Sequence, residues 1–173
     1  MMSDRTRSGE RVEVPIRIGV CGGGTTDRAG ADTAEAVGRG IAEAGAVLVC
    51  GGRGGIMEAA ARGAAEAGGL TFGILPGAEA SSANPYIRLP LPTGMGEGRN
   101  VLVVRAADAV IAIDGEWGTL SEVALARKIG VPVVLLGGGL AERLADRLGL
   151  ERTDDPARAV TRALELAAQR RRS

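Results

Sequence analysis

"IRIGVCGGGTTDRAGADTAEAVGRGIAEAGAVLVCGGRGGIM", residues 16–57, decides how this chain folds. Two short apolar runs, "IRIGVC" (16–21) and "AVLVC" (46–50), flank "ADTAEAVGRGIAEAG" (31–45), whose apolar residues recur with helical period. Both runs are continuous rather than alternating, the pattern of strands covered on both faces. Strand, helix and strand in succession imply a parallel pair joined by a right-handed crossover. Each strand then runs straight into glycine. Gly22, Gly23 and Gly24 precede Thr25 and Thr26, and Gly51, Gly52, Gly54 and Gly55 surround Arg53.

The same alternation continues outward. "LTFGIL" (70–75), "DAVIAI" (108–113) and "VPVVLL" (131–136) read as further strands. Helical segments are expected at 56–69, 97–107, 119–130, 140–149 and 155–172, the last with Asp155 as N-cap and Pro156 at the first helical position. The Pro-, Gly- and Ser-rich segment 76–96 is irregular, with a short strand expected around Tyr86–Leu89. The expectation is a single-domain α/β protein over 1–173 with a Rossmann-like, doubly wound, mainly parallel sheet, frayed at 1–12 and 170–173. A chain of 173 residues is long enough to bury a proper core, and no linker divides it.

Composition removes several function classes. Basic and acidic residues balance at 21 each, so there is no general electrostatic drive toward nucleic acid or an anionic membrane. No apolar run reaches the ~18 residues of a membrane span. The N-terminal "MMSDRTRSGERVEV" lacks the apolar centre of a secretory signal, so a cytoplasmic protein is expected. Cys21 and Cys50 each close an apolar run and read as small buried residues, not as a disulfide. No metal site is expected, because the chain has no histidine and two thiols are too few ligands. The absence of histidine also excludes a Ser-His-Asp triad and an imidazole base, and no Gly-Lys-Ser/Thr phosphate loop occurs. Lys128, the only lysine, reads as a solvated residue near a helix end.

Ligands of doubly wound sheets bind beyond the carboxyl ends of the strands. Three glycine-rich turns fall there: 22–24, 51–55, and a third within "IDGEWGTLSE" (113–122). Clustered glycines bring a ligand close to the backbone and aim amide N–H groups at an anion, so a phosphate-bearing small molecule is expected. An ordinary dinucleotide enzyme is disfavoured. No turn reads Gly-x-Gly-x-x-Gly, and the second strand ends without a ribose-binding acid.

By spacing alone, Thr119 and Glu122 form a capping box worth about 1 kcal/mol. Arg99 reads as an exposed helix cation near Glu97, and Asp108 as a helix-to-strand turn residue. Arg53 has two readings, a solvated loop residue or a phosphate contact helped by the Gly54 and Gly55 amides. Thr25 and Thr26 either cap the following helix or touch phosphate. Trp117 either covers a ring-bearing ligand or packs at its turn.

Three segments together are more specific. "GGRGGIMEAAARGAAEAGG" (51–69), "GILPG" (73–77) and "GRNVLVVRAADAVIAIDGEWGTLSE" (98–122) resemble the LONELY GUY family of cytokinin-activating phosphoribohydrolases, over roughly residues 16–136. The family's hallmark is Pro-Gly-Gly-x-Gly-Thr-x-x-Glu, preceded by an arginine on the helix before that strand. Gly115, Gly118, Thr119 and Glu122 match the hallmark, and Arg99 matches the arginine. Asp114 replaces the proline, Glu116 replaces the second glycine, and Asn100 stands where a lysine is usual.

The resemblance implies that Glu122 and Arg99 act in catalysis. Gly22, Gly23, Gly24, Thr25, Gly52, Arg53, Gly54, Gly55, Gly115, Gly118 and Thr119 would hold the phosphate-bearing ligand. It further implies hydrolysis of a nucleoside 5′-monophosphate to base and ribose 5-phosphate, with Glu122 stabilising an oxocarbenium-like state and activating water. No catalytic cofactor is implied, and a homodimer or higher homo-oligomer is. The compact length and the "GRN" (98–100) and "DAVIAI" (108–113) segments also resemble a divergent branch of that superfamily containing molybdenum cofactor carrier proteins. That branch leaves open a non-catalytic carrier of molybdenum cofactor or another phosphorylated ligand.

Overall fold

The computed structural model describes residues 14–115 and 117–173. The expected fraying of 1–12 and the character of Glu116 lie outside the described residues. Strands β1 (Arg17–Gly22), β2 (Val47–Cys50), β3 (Thr71–Leu75), β4 (Leu89–Pro92), β5 (Ala109–Ile113), β6 (Val133–Leu136) and β7 (Glu151–Thr153) form one sheet, ordered β4-β3-β2-β1-β5-β6-β7. Every pairing is parallel, from Arg17↔Val47 and Ile18↔Ala109 at the centre to Val134↔Glu151 at one edge. The helices are α1 (Arg28–Glu43), α2 (Ile56–Glu66), α3 (Asn100–Ala106), α4 (Trp117–Ile129), α5 (Leu140–Leu148) and α6 (Pro156–Arg172). The molecule is thus a single α/β domain of the doubly wound kind. Strand order reverses between β1 and β5, which places a crevice at their carboxyl ends.

Continuous apolar strands make sense once both faces are covered. Ile18 and Val20 of β1 pack with Val37 and Ile41 of α1, Ile56 of α2 and Ala163 of α6. On the opposite face Cys21, Val49 and Val110 pack with Val103 of α3, Val123 of α4 and Ala141 of α5. The aromatic-poor composition has a packing reason. A Cβ on Gly63 would collide with the Glu35 carbonyl, so small residues let α1 and α2 lie backbone against backbone.

Side chains set the helix ends. Asp155 caps α6 by accepting from the Ala157 and Arg158 amides, with Pro156 at its start, as expected. Asp27 caps α1 by accepting from Gly30 N at 2.8 Å, so that role falls to neither Thr25 nor Thr26.

Three expectations need correction. The edge strand lies at Leu89–Pro92 rather than around Tyr86–Leu89, because Thr71 Oγ1 intercepts the preceding residues. That hydroxyl donates to Tyr86 O at 2.6 Å and accepts from Arg88 N at 2.9 Å before the ladder begins at Phe72↔Leu89. Pro90 and Pro92 suit an edge strand, which can spare N–H donors. β7 is an addition to the expected strands, since "ERT" has no apolar signature and is recruited by pairing with β6. Residues 170–172 are not frayed but continue α6. Arg171 donates to the Val14 and Pro15 carbonyls and to Asp108 Oδ2, each at 2.6 Å.

Asp108 is the centre of that last contact. It also accepts from Arg17 N at 2.8 Å and pairs with Arg17 Nη2 at 3.0 Å. Burial alone would raise its pKa, but the bonds from Arg17 and Arg171 outweigh burial and hold it down at about 2. The residue clips β1, β5 and the end of α6 at the amino edge of the sheet, opposite the glycine turns. Among the described residues no helix is long and apolar enough to cross a membrane.

Candidate ligand cleft at the carboxyl edge

The three glycine turns meet at the β1–β5 switch. The first two interlock. Ile56 N donates to Gly23 O at 3.0 Å, and Gly55, at φ 66, has no room for a Cβ against the Gly23 and Gly24 backbone. Asn84 steadies the second turn from outside, its amide donating to Arg53 O at 2.9 Å and its backbone N–H to Gly52 O at 2.9 Å. The third turn is tight for another reason. Gly115 has φ 115, and a Cβ there would overlap the Thr119 side chain.

Two connected lobes open along this edge, sharing Gly22, Gly24 and Gly118 in their walls. One, of about 470 Å³, is bounded by Gly23, Thr25, Asp27, Asp114, Gly115 and Thr119. The other, of about 360 Å³, is bounded by Arg53, Gly54, Met57, Glu97, Arg99, Asn100 and Glu122. All the site residues expected from sequence therefore lie on one edge. Gly52 and Gly55 are placed behind it as turn-formers, since neither lines either of these two lobes.

Arg99 and Glu122 form the buried floor of the second lobe, 6% and 7% exposed. Arg99 Nη1 lies 3.8 Å from Glu122 Oε1 and donates to Asn100 Oδ1. Asn100 in turn donates to Ser121 Oγ at 3.0 Å, tying the start of α3 to α4. Gly51 makes the approach possible, because a methyl there would strike the Arg99 guanidinium and the Met57 sulfur. The exposed-cation reading of Arg99 is thereby corrected.

The capping-box reading of Glu122 is corrected as well. Helix α4 begins at Trp117, which places Thr119 and Glu122 inside it. Thr119 Oγ1 makes no hydrogen bond, and the Glu122 carboxylate turns inward to Arg99 and the Cys21 thiol. Burial raises the Glu122 pKa to about 7, against the opposing pull of Arg99 and the Cys21 hydrogen bond, with a smaller push from Glu97. Burial likewise pushes the Cys21 thiol well up and Cys50 up to about 11, so neither is a thiolate near neutrality.

Two buried side-chain polar atoms among the described residues lack any partner: Arg99 Nε and Thr119 Oγ1. Both lie on residues that line the cleft, one in each lobe. Leaving such groups unsatisfied costs about 1–3 kcal/mol each, which a ligand supplying the missing bonds would recover.

Other residues fall differently. Arg53 is exposed at the rim of the second lobe. Trp117 is 83% exposed, so it does not pack at its turn. Lys128 is exposed near the end of α4. Sequence reasoning passes over Asp27, Asn84 and the support of Glu122 by Cys21, and it names Gly51 and Glu97 without giving them a role in the site. Of these, only Asp27, immediately before an Ala-rich helical run, carries a local signal, as an N-cap.

The profile of the SLOG cluster4 family matches residues 15–165. The chain belongs to that family. This SLOG cluster4 protein is similar to an uncharacterized protein of Archaeoglobus fulgidus, 44% identical over 121 residues, or 70% of this chain and 80% of the relative. The molybdenum cofactor binding protein of the phototrophic bacterium Rippkaea orientalis superposes with a TM-score of 0.81 at 36% identity, covering 91% of this chain and 98% of its own. The Moco carrier protein of Chlamydomonas reinhardtii superposes at 0.82 with 35% identity, covering 90% and 99%. These likenesses bear out the expected divergent branch and its sheet.

Proposed function

We propose that this SLOG cluster4 protein is a binding and carrier protein for molybdenum cofactor or a closely related phosphate-bearing pterin, held as cargo. The observation that carries the reading is the pair of unpartnered buried groups, Arg99 Nε and Thr119 Oγ1, each on a residue that lines one of two adjoining lobes. A ligand with a polar ring at one end and a phosphate at the other would place polar groups beside both residues. The likeness to molybdenum cofactor binding proteins over nine-tenths of the chain supports the same ligand class.

Asp114 adds to this reading. It replaces the hallmark proline and borders the larger lobe. Its φ of 46 is one that a proline ring cannot adopt. The turn has therefore been rebuilt around a carboxylate, in a place where the hydrolase family would be expected to hold phosphate.

Hydrolysis of a nucleoside monophosphate is the second reading, favoured by one feature: a cleft-lining Glu122 with a pKa of about 7, suited to general base work. One experiment separates the two. The purified protein is titrated with molybdenum cofactor and, separately, incubated with AMP and N6-substituted AMPs while free base and ribose 5-phosphate are measured. Saturable cofactor binding with no base release is the expected result. Base release that disappears in a folded Glu122→Gln variant would overturn the carrier reading. The proposal includes a homo-oligomer, for which exposed Leu89, Leu91 and Met95 along the β4 edge offer an apolar face. It includes neither nucleic acid nor a membrane as partner.

A further inference from the structure

The cations of the two lobes divide sharply, although carboxylates border both. Among the described residues, Asp27 and Asp114 are the charged residues bordering the larger lobe, whereas both arginines, Arg53 and Arg99, border the smaller one together with Glu97 and Glu122. Asp27 is committed to the N-terminus of α1 through Gly30 N. Asp114 is not committed in this way: none of the described side-chain hydrogen bonds ends on its carboxylate, although the residue is held in a left-handed conformation. In the same lobe the Thr119 hydroxyl, on a residue only 3% exposed, has no partner. A phosphate seated there would face carboxylates without a cation. A group rich in N–H donors would find a charged acceptor and a hydroxyl waiting.

Resting on the carrier reading and extending it, we propose that Asp114 recognises the N–H edge of a 2-amino-4-oxopyrimidine ring, the edge that pterin and guanine share. The phosphate of the same ligand lies across Gly118, against Arg53 and Arg99. This ring presents two adjacent donors, the exocyclic amine and the neighbouring ring N–H, in the geometry a carboxylate accepts in bidentate fashion. Adenine offers no such pair. The assignment makes Asp114 a specificity-determining residue, and it reverses the ligand relative to an arrangement with phosphate on the third glycine turn. Thr119 lines the lobe on the ring side of Gly118, and Arg99 the lobe on the phosphate side.

The test is calorimetric titration of the intact protein with GMP, AMP and neopterin monophosphate, repeated on Asp114→Asn and Asp114→Gly. Asparagine and glycine both accept positive φ, so the turn survives in each variant. The expected result is at least tenfold tighter binding of GMP or the pterin than of AMP, lost in Asp114→Gly. Whichever of GMP and the pterin binds more tightly names the source of the ring. Equal affinity for all three, a ring preference that survives Asp114→Gly, or no binding of any of them overturns the assignment. So does uniform tightening when the carboxylate is removed, which would place phosphate beside Asp114. Pterin binding indifferent to Asp114 sinks this assignment alone and leaves the carrier reading standing. An Asp114-dependent GMP preference without pterin binding does the reverse.

Discussion

Replacing Glu122 with glutamine should change how stability depends on pH, in a direction opposite to that of an ordinary paired carboxylate. In the folded protein the Glu122 pKa rises from 4.5 to about 7, because burial disfavours the charge more than Arg99 favours it. The side chain is 9% exposed, so solvent screening takes little from this difference. At 1.36 kcal/mol per pKa unit it amounts to about 3 kcal/mol. A carboxyl whose folded pKa is raised contributes stability that is complete below the unfolded pKa and lost as pH rises through the folded one. The wild-type protein therefore loses about 2–3 kcal/mol from this group between pH 5 and pH 9. The glutamine of the Glu122→Gln variant cannot ionise, so the variant loses none of it. Any cost of leaving Arg99 without its counter-charge is nearly independent of pH in this range and shifts the whole Glu122→Gln curve equally. Other titrating groups are common to both proteins and cancel in the difference. Urea unfolding of both proteins at pH 5, 6, 7, 8 and 9 reads the effect directly. The difference in unfolding free energy should move in favour of Glu122→Gln by about 2–3 kcal/mol across the series, mostly between pH 5 and 7, and level off above the folded pKa. Parallel curves would refute the reasoning. They would mean that Glu122 titrates as a solvated carboxylate and is not held in the buried pocket.

Asp108 gives the mirror image at the other end of the sheet. Its pKa is lowered from 3.8 to about 2, so its contribution is present above pH 4 and lost as pH falls toward 2. Asp108→Asn should cost about 2 kcal/mol at pH 7 and almost nothing at pH 2, read by denaturant unfolding at both values. Gly51→Ala puts a methyl against the Arg99 guanidinium and Met57. It should destabilise the fold by about 1–3 kcal/mol and weaken binding of phosphate-bearing ligands at least tenfold by calorimetry. An anion bound beside Arg99 and Glu122 raises the carboxyl pKa further, so ligand binding at pH 7.5 should take up protons. Calorimetry in two buffers of different ionisation enthalpy measures that uptake, and it should vanish in Glu122→Gln.

The sheet was legible because its signals are local and mutually consistent. Runs such as "IRIGVC" and "DAVIAI" are apolar at successive residues, and they alternate with Ala-rich helical periods. Their ends are punctuated by glycine or by an Asp-Pro cap, and only the parallel doubly wound arrangement uses all of these at once. The errors arise where a non-local contact outweighs local chemistry. β7 is a strand because β6 offers it an open edge, not because Glu151, Arg152 and Thr153 prefer one. The edge strand starts late because Thr71, fifteen residues upstream of Tyr86, captures the chain there. Arg171 reads as a loose end because its partners, Val14, Pro15 and Asp108, are far away in sequence.

The cleft follows the same rule with more at stake. Glycine clustering located the three turns, and the hallmark spacing selected Arg99 and Glu122. Neither signal could distinguish a helix cap from a buried ion pair, since Thr-x-x-Glu is written the same way for both. What separates them is the start of α4 at Trp117, two residues before Thr119. That shift carries Thr119 and Glu122 into the body of the helix and frees the Thr119 hydroxyl from capping. It also turns the carboxylate toward Arg99 and Cys21. The same turn holds Asp114 at a φ that glycine or asparagine adopts readily, aspartate less so, and proline not at all. The substitution that departs most from the hallmark is thus inseparable from the backbone that carries it. On the proposed assignment, such a turn exchanges a phosphate cradle for an acceptor of N–H donors, while the arginines that border the other lobe stay in place across Gly118.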